Sequence, residues 1–428
     1  MGNALDQHYP YAFQAKTHWS FIHHLDEVPL ETPLLWFGPG FADPGDEILC
    51  LDFAPFVVIF DPADSKKLKP FFSDPRFTCG WIAYEIGYAL NPVKGVRPSS
   101  WRLPLAWWGC PGTLLIRKGD EIYGYTRFRK RIQELKSWLF RECRSLIKEP
   151  TGRWLDRDFD SFETYKVAFD AAKSAIREGE CYQINLTERR HFEWTADPLC
   201  LMARMLRVQP ARWSSFFGDG TRAILCGSPE MGLTVVHRRV TARPMKGTRP
   251  RNRSAASLSR VEEDLYRSAK ERAENLMVVD MWRNDLARVC RPGSVRVPRL
   301  FVIETYETLY QMVSEVVGDL DETATEWDCL NATFPSPSVT GAPKIRAMEW
   351  IARLEHSSRG VYCGTMGWVW PGEGMRLNVA IRTAEWMDGE GWYGVGGGIV
   401  ADSEVAQEWA ELDWKTRAFT LALQGEFE

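Results

Sequence analysis

Asp160–Trp194, DSFETYKVAFDAAKSAIREGECYQINLTERRHFEW, changes its hydrophobic period part-way along, and that change sets the fold class. Asp160 with Glu163 forms a capping-box pattern, and Tyr165, Phe169, Ala172 and Ile176 recur at helical spacing until Gly179 stops the run. From Cys181 the period drops to two, with Tyr182, Ile184 and Leu186 on one face of a strand and Gln183, Asn185 and Thr187 on the other. The polar face either meets solvent or lines a site, and the pattern alone favours solvent. Upstream, ILCLDFAPFVVIF and GTLLIRKGDEIYGYTRF read as short strands broken by Pro and Gly, with the glycine-punctuated CGWIAYEIGYAL between them at Cys79–Leu90. Interleaved elements of this kind predict an α+β chain. RKRIQELKSWLFRECRSLIKEP then reads as an amphipathic helix ended by Pro150, bridging an N-terminal α+β region (residues 1–150) and a second part (residues 151–428).

The 428 residues are 45% hydrophobic and 26% charged and include 19 tryptophans, ample material for a buried core, so disorder is excluded for most of the chain. A net charge of -4 gives no global drive toward nucleic acid or a membrane surface, although basic residues bunch near 126–153 and 238–253. MGNALDQHYPYAF shows no secretory pattern, its likeness to a myristoylation start fails at Asp6, and no apolar run is long enough to span a bilayer. A cytoplasmic protein is expected. The ten cysteines are scattered without a C-x-x-C pair, which predicts reduced packing thiols. His23, His24 and Asp26 do not complete a metal site, because adjacent residues point apart on any regular element.

The chemistry concentrates further on. Ser228–Arg249, SPEMGLTVVHRRVTARPMKGTR, places Glu230 after a Ser-Pro turn, then a strand-like run, then Lys246 in the frame Arg-Pro-Met-Lys-Gly-Thr. Arg243, Arg249 and Arg251 make a cationic setting that can favour the neutral amine a lysine nucleophile requires; a basic surface loop is the plainer alternative. SLSRVEEDLYRSAKERAENLMVVDMWRNDLARV reads as one long helical region with Glu271 and Glu274 on one face. In RLNVAIRT, Arg382 ends a polar strand face, where its planar fork can grip a carboxylate. Gly396, Gly397 and Gly398 follow in a row; consecutive glycines can aim N–H groups at an anion, though such a run is more often a turn. Asp402 or Ser403 can cap a final helix on which Glu408, Glu411 and Lys415 face one way. Two or three carboxylates with open positions suit Mg²⁺, which keeps several waters and bridges to an anionic substrate. A Walker loop, a nucleophile elbow and a dinucleotide fingerprint are absent from the sequence.

QINLTERR, SPEMGL, RPMKGTRPR, KERAENLMVVDMWRNDLARVCRPGSVRVP, SVTGAPKIRAMEWI, RGVYCGTMGW, NVAIRT and GVGGGIVADSEVAQEWAELDWK, in this order, resemble the chorismate-binding enzymes. That family includes anthranilate synthase component I, aminodeoxychorismate synthase component I, and the isochorismate and salicylate synthases. The resemblance runs from about Phe162 to Leu423, and more weakly through CGWIAYEIGY. It implies large antiparallel sheets packed together and flanked by helices. It also implies Mg²⁺ held by Glu274 and Glu411 with Glu271 and Glu408 nearby, and a substrate-binding set of Arg382, Lys415, Tyr362, Thr340 and Gly396 to Gly398. Glu230 matches the acid that protonates the departing C4 hydroxyl of chorismate. Two positions choose the branch. Gln183 stands where the water-adding members carry a lysine base, and Lys246 stands where anthranilate synthases usually carry a small residue. A lysine there resembles aminodeoxychorismate synthase component I, in which the amine adds at C2 before ammonia enters at C4, making the precursor of 4-aminobenzoate and folate. Ammonia is then expected from a separate glutamine amidotransferase, and a separate lyase would complete 4-aminobenzoate. Gln311 replaces a histidine common in the family, and Ser336-Pro337 replaces a glycine pair. These departures keep a non-catalytic chorismate-binding paralogue open, beside anthranilate synthase component I, as an alternative.

Overall fold

A helix forms at Phe162–Arg177, where the spacing predicts it, but the reciprocal cap uses other residues. Ser161 accepts from the Thr164 amide while the Thr164 hydroxyl accepts from the Ser161 amide, so the pair is Ser161/Thr164 in place of Asp160/Glu163. Asp160 acts from one residue further out, accepting from the Thr164 hydroxyl at 2.9 Å. The computed structural model describes residues 5, 8–16, 21, 33–41, 46–94, 103–139, 151–251, 255–305, 309–370 and 372–426. His23, His24 and Asp26 lie outside these, as does the expected end of the bridging helix at Pro150; that helix is described at Arg131–Leu139.

The next strand, Gln183–Glu193, does not turn its polar face to water: Gln183, Asn185 and Thr187 are all buried. Neighbours on both edges enclose it, with Glu390–Ile399 running antiparallel along its full length and Gly341–Ala342 pairing at its start. Tyr182, expected to share the apolar face, precedes the strand and is 69% exposed.

Strand pairings among the described residues are antiparallel and join into one connected 20-stranded sheet. A sheet that long twists and folds over on itself, leaving separate interiors. One core packs the helices Phe162–Arg177, Pro198–Val208, Lys344–Leu354 and Val405–Gln424 against Gln183–Glu193 and its neighbours. A second packs Ala269–Ala287 and Glu326–Thr333 against strands that include Met231–Val236 and Leu309–Asp319. A third lies chiefly between strands and is aromatic, with Trp81 edge-on to Phe217 and Trp107 tilted against it. Pairings cross residue 150: Leu34–Phe37 lies beside Trp213–Gly218, and Thr78–Ile82 beside Thr365–Trp370. The N-terminal part is therefore hydrogen-bonded into the same sheet as the rest. Among the described residues no helix is long and apolar enough to cross a membrane, and the described cysteines are free thiols.

Candidate active site

A cavity of about 750 Å³ opens where the strands Met245–Pro250 and Glu390–Ile399 approach the helices Ala269–Ala287 and Val405–Gln424. Its walls include Glu230, Lys246, Glu271, Glu274, Tyr362, Arg382, Gly396 to Gly398, Glu408, Glu411 and Lys415. Residues more than 180 positions apart thus meet in one space. Gln183 and Thr340 stand behind the wall. The Gln183 amide lies 2.8 Å from where a Cβ on Gly398 would be, and the Thr340 hydroxyl donates to the Ser336 carbonyl at 3.2 Å.

The Ser-Pro turn is pinned by Ser228, whose hydroxyl donates to the Val379 carbonyl at 2.6 Å and accepts from the Glu230 amide at 3.1 Å. This turns Glu230 inward, where burial pushes its carboxyl up to about 7 against a hydrogen bond from Ser338 and the charge of Lys246. A carboxyl poised there can hold a proton near neutral pH and give it up.

Lys246 sits on a strand, Met245–Pro250, where a loop was the plainer expectation. The surrounding charge is also the reverse of the cationic setting expected. Arg243 is ion-paired with Glu304, Arg249 contacts Glu271 at 3.1 Å, and the carboxylates Glu230, Glu274 and Glu411 all feel the charge of Lys246. Spacing along the chain showed the arginines but not the acids folded over them.

The expected single helix is two, Ala255–Arg267 and Ala269–Ala287, because Ser268 leaves the helical path and caps the second by accepting from the Glu271 amide at 3.4 Å. The break puts Glu271 and Glu274 in the first turns of the second helix. Burial raises Glu274, and the charge of Glu271 adds to the effect against that of Lys246. From the last helix, burial raises Glu408 although Ser403 donates to it at 2.7 Å. Burial would also raise Glu411, but Lys415 at 2.7 Å, with Lys246 and Lys270, pulls it below the usual range. The helix itself starts after Glu404 without a side-chain cap, since Ser403 is turned to Glu408 and not to the helix amides.

The glycine run is a strand and not a turn, with Gly396, Gly397 and Gly398 opposite Thr187, Leu186 and Asn185. A Cβ would meet the Leu186 carbonyl at 2.6 Å on Gly396, and on Gly397 it would stand 3.0 Å from Glu408 Oε2 and 3.6 Å from Lys415 Nζ. Lys415 donates to the Gly396 carbonyl at 2.7 Å. Arg382 is not on a strand: Gly374–Asn378 has already ended, and Arg382 turns the corner at φ +53° with its guanidinium donating to the Lys415 carbonyl. Ser338, Asn185, Lys270 and Trp414 also line the cavity and were not singled out as site residues. Asn185 had a signal in its polar strand face; the others carried none that spacing could reveal.

The four acidic residues proposed for Mg²⁺ offer the hard oxygen donors that ion takes, and two of them are held above their ordinary range by burial and mutual repulsion, which a dication relieves. Among the described residues no three such groups converge as a ready cage.

A family model described as chorismate binding enzyme matches residues 57–421. Anthranilate synthase component 1 of Neisseria meningitidis serogroup B is 36% identical over 304 residues, covering 70% of this chain and 61% of that protein. Aminodeoxychorismate synthase component 1 of Escherichia coli K12 is 39% identical over 249 residues, covering 58% of this chain and 55% of that protein. The chain thus spans less than two thirds of the length of either curated relative. The crystal structure of anthranilate synthase component I from Streptococcus pneumoniae TIGR4 superposes with a TM-score of 0.77 at 24% identity, covering 89% of this chain and 93% of that one, a likeness of fold.

Proposed function

The chain belongs to the chorismate-binding enzyme family, and from that premise we propose that it is an aminodeoxychorismate synthase component I, converting chorismate and ammonia to 4-amino-4-deoxychorismate. The observation that carries this reading is Lys246 on the cavity wall together with a Glu230 carboxyl poised near neutrality. The neutral Lys246 amine bonds to C2 of chorismate as the C4–O bond breaks, and Glu230 supplies the proton with which the hydroxyl leaves as water. Both ring double bonds shift by one position to link the bond made at C2 to the bond broken at C4, and both shift back in the second step. Ammonia then bonds to C4, the C2–N bond to Lys246 breaks, and the Glu230 carboxylate takes up the proton ammonia sheds. Arg382, Lys415 and the amides of Gly396 and Gly398, which alternate off the ladder with Gln183–Glu193, supply positive potential for the substrate carboxylates, and Tyr362 bounds the ring. Mg²⁺, held by Glu274 and Glu411 with Glu271 and Glu408 nearby, would neutralise a substrate carboxylate in this acidic pocket.

The relatives named above are called component 1, which supports a second component; a glutamine amidotransferase that delivers ammonia is the partner proposed. Purified chain incubated with chorismate, Mg²⁺ and ammonium is expected to yield 4-amino-4-deoxychorismate, and fluorescent anthranilate as the main product would overturn the reading. With ammonia withheld, intact-protein mass spectrometry is expected to find chorismate-derived mass on Lys246.

A further inference from the structure

Leu309–Asp319 pairs with the lysine strand so that Met312 faces Lys246 and Gln311 faces Thr248, leaving Gly247 as an extra residue in the ladder. Gly247 takes φ +72°, the left-handed conformation that glycine adopts without strain. A bulge of this kind bends its strand and re-aims the side chains beside it. The side chain beside it is Lys246.

Gln311 closes the bulge. Its Nε2 donates to the Gly247 carbonyl at 3.0 Å and its Oε1 accepts from the Thr248 hydroxyl at 2.8 Å. A peptide carbonyl only accepts, so the amide can sit only with its nitrogen toward Gly247. The other side of the bulge is closed by packing, since a Cβ on Gly247 would meet Glu271 Oε2 at 2.8 Å and Leu265 Cδ1 at 2.9 Å. Gln311 also borders the cavity, so its amide is in place when substrate enters.

We infer that Gln311 is a positioning residue: its side-chain amide, bridging Gly247 and Thr248, holds the bulge that aims the Lys246 amine into the cavity. The chemistry served rests on the proposed function, whereas the geometry does not. The bridge needs one donor and one acceptor. Histidine supplies both from its two ring nitrogens, and leucine supplies neither.

Two readings test the inference on the full-length chain. In the first, a small amine-acylating reagent is applied and labelling of Lys246 is followed by peptide mass spectrometry, with the exposed Lys66 as internal reference. Gln311→Leu is expected to change the Lys246/Lys66 labelling ratio about tenfold, the scale of two lost hydrogen bonds, while Gln311→His stays within about threefold of the parent. In the second, chorismate is added without ammonia. Gln311→Leu is expected to slow adduct formation about tenfold while chorismate affinity moves less than about threefold, a split that a general loss of structure would not produce. If Gln311→Leu does not fold, Thr248→Val removes one of the two bonds at equal volume and is expected to show a smaller change in the same direction. A folded Gln311→Leu that labels and reacts like the parent overturns the inference and leaves the proposed function intact. A parent that forms no adduct, yet whose Lys246 labelling still depends on Gln311, overturns the proposed reaction and leaves the inference intact.

Discussion

An amine must shed its proton before it can attack carbon, and the groups facing Lys246 include carboxyls able to take part. Burial holds Glu230 near 7, with Lys246 opposing that rise. On the proposed chemistry the protonated form of Glu230 is the working one, so turnover is expected to fall as pH rises through about 7. Glu230→Gln keeps the shape but has no proton to give. A loss of about 10²–10⁴-fold in kcat is expected, together with disappearance of that limb from the pH profile; a retained limb would assign it to another group. Lys246→Ala is expected to abolish the covalent adduct and, by opening space at C2, to shift residual product toward anthranilate. Product analysis by chromatography and fluorescence checks this, and an unchanged product and rate would remove Lys246 from the mechanism. Lys246 and Glu230 were both legible in the sequence because each sits in a short frame of turn-forming residues. The acids that set their charge environment were legible only as residues and not as neighbours.

The elements that build the cavity differ from their sequence patterns where neighbours intervene. A glycine run with no side chains to pack reads as a turn, yet here Gln183–Glu193 supplies a full ladder of hydrogen bonds that holds it extended. Alternation in RLNVAIRT suggested a strand through Arg382, but the strand ends at Asn378; the Val379 amide makes one more bond in register, to the Glu230 carbonyl at 3.2 Å, before the chain turns. The bend brings Arg382 to the last helix. Gly397→Val would force a side chain against Glu408 and Lys415, where even a Cβ has 3.0 Å. Overpacking of this size costs about 1–3 kcal/mol, and it is expected to appear as weaker chorismate binding by calorimetry; full affinity would show that the glycine wall is not a binding surface. The bulge at Gly247 left only a glycine as its signal, since bulges follow from cross-strand register that one strand does not encode.

At the level of the molecule, Arg359 ties distant parts together. It is 2% exposed, pairs with Glu355 at 2.6 Å, and donates from its guanidinium to the Val339 and Asn185 carbonyls, each at 2.7 Å. Its amide and that of Gly360 donate to Glu85, across some 270 residues, at 2.7 and 3.1 Å. Arg359→Met would leave Glu355 buried without its partner, and a loss of about 3–5 kcal/mol in unfolding free energy is expected by denaturant titration; a change under about 1 kcal/mol would refute the hub. Within this network burial pushes Glu85 up to about 7, and Glu385, which accepts from the neighbouring Val361 amide, up to about 8. Both therefore bind their protons more tightly folded than unfolded. The stability they contribute is complete below the ordinary carboxylate range and declines as pH rises through about 7 to 8. Glu385→Gln, which cannot ionise, is expected to flatten the fall in thermal midpoint between about pH 5 and 8.5, and an unaltered slope would exclude Glu385 as its source. Local pattern explains what could be read directly from the chain: the helix at Phe162–Arg177, the alternation of the strand after it, the α+β class, and the short frames around Glu230, Lys246 and the acidic helices are each written in spacings of a few residues. Burial of the polar face of Gln183–Glu193, the acids around Lys246, the corner at Arg382 and the bulge at Gly247 depend on strands and helices far apart in sequence. Pairing and desolvation between such distant segments have no local period, so they came into view only once the sheet had folded over on itself.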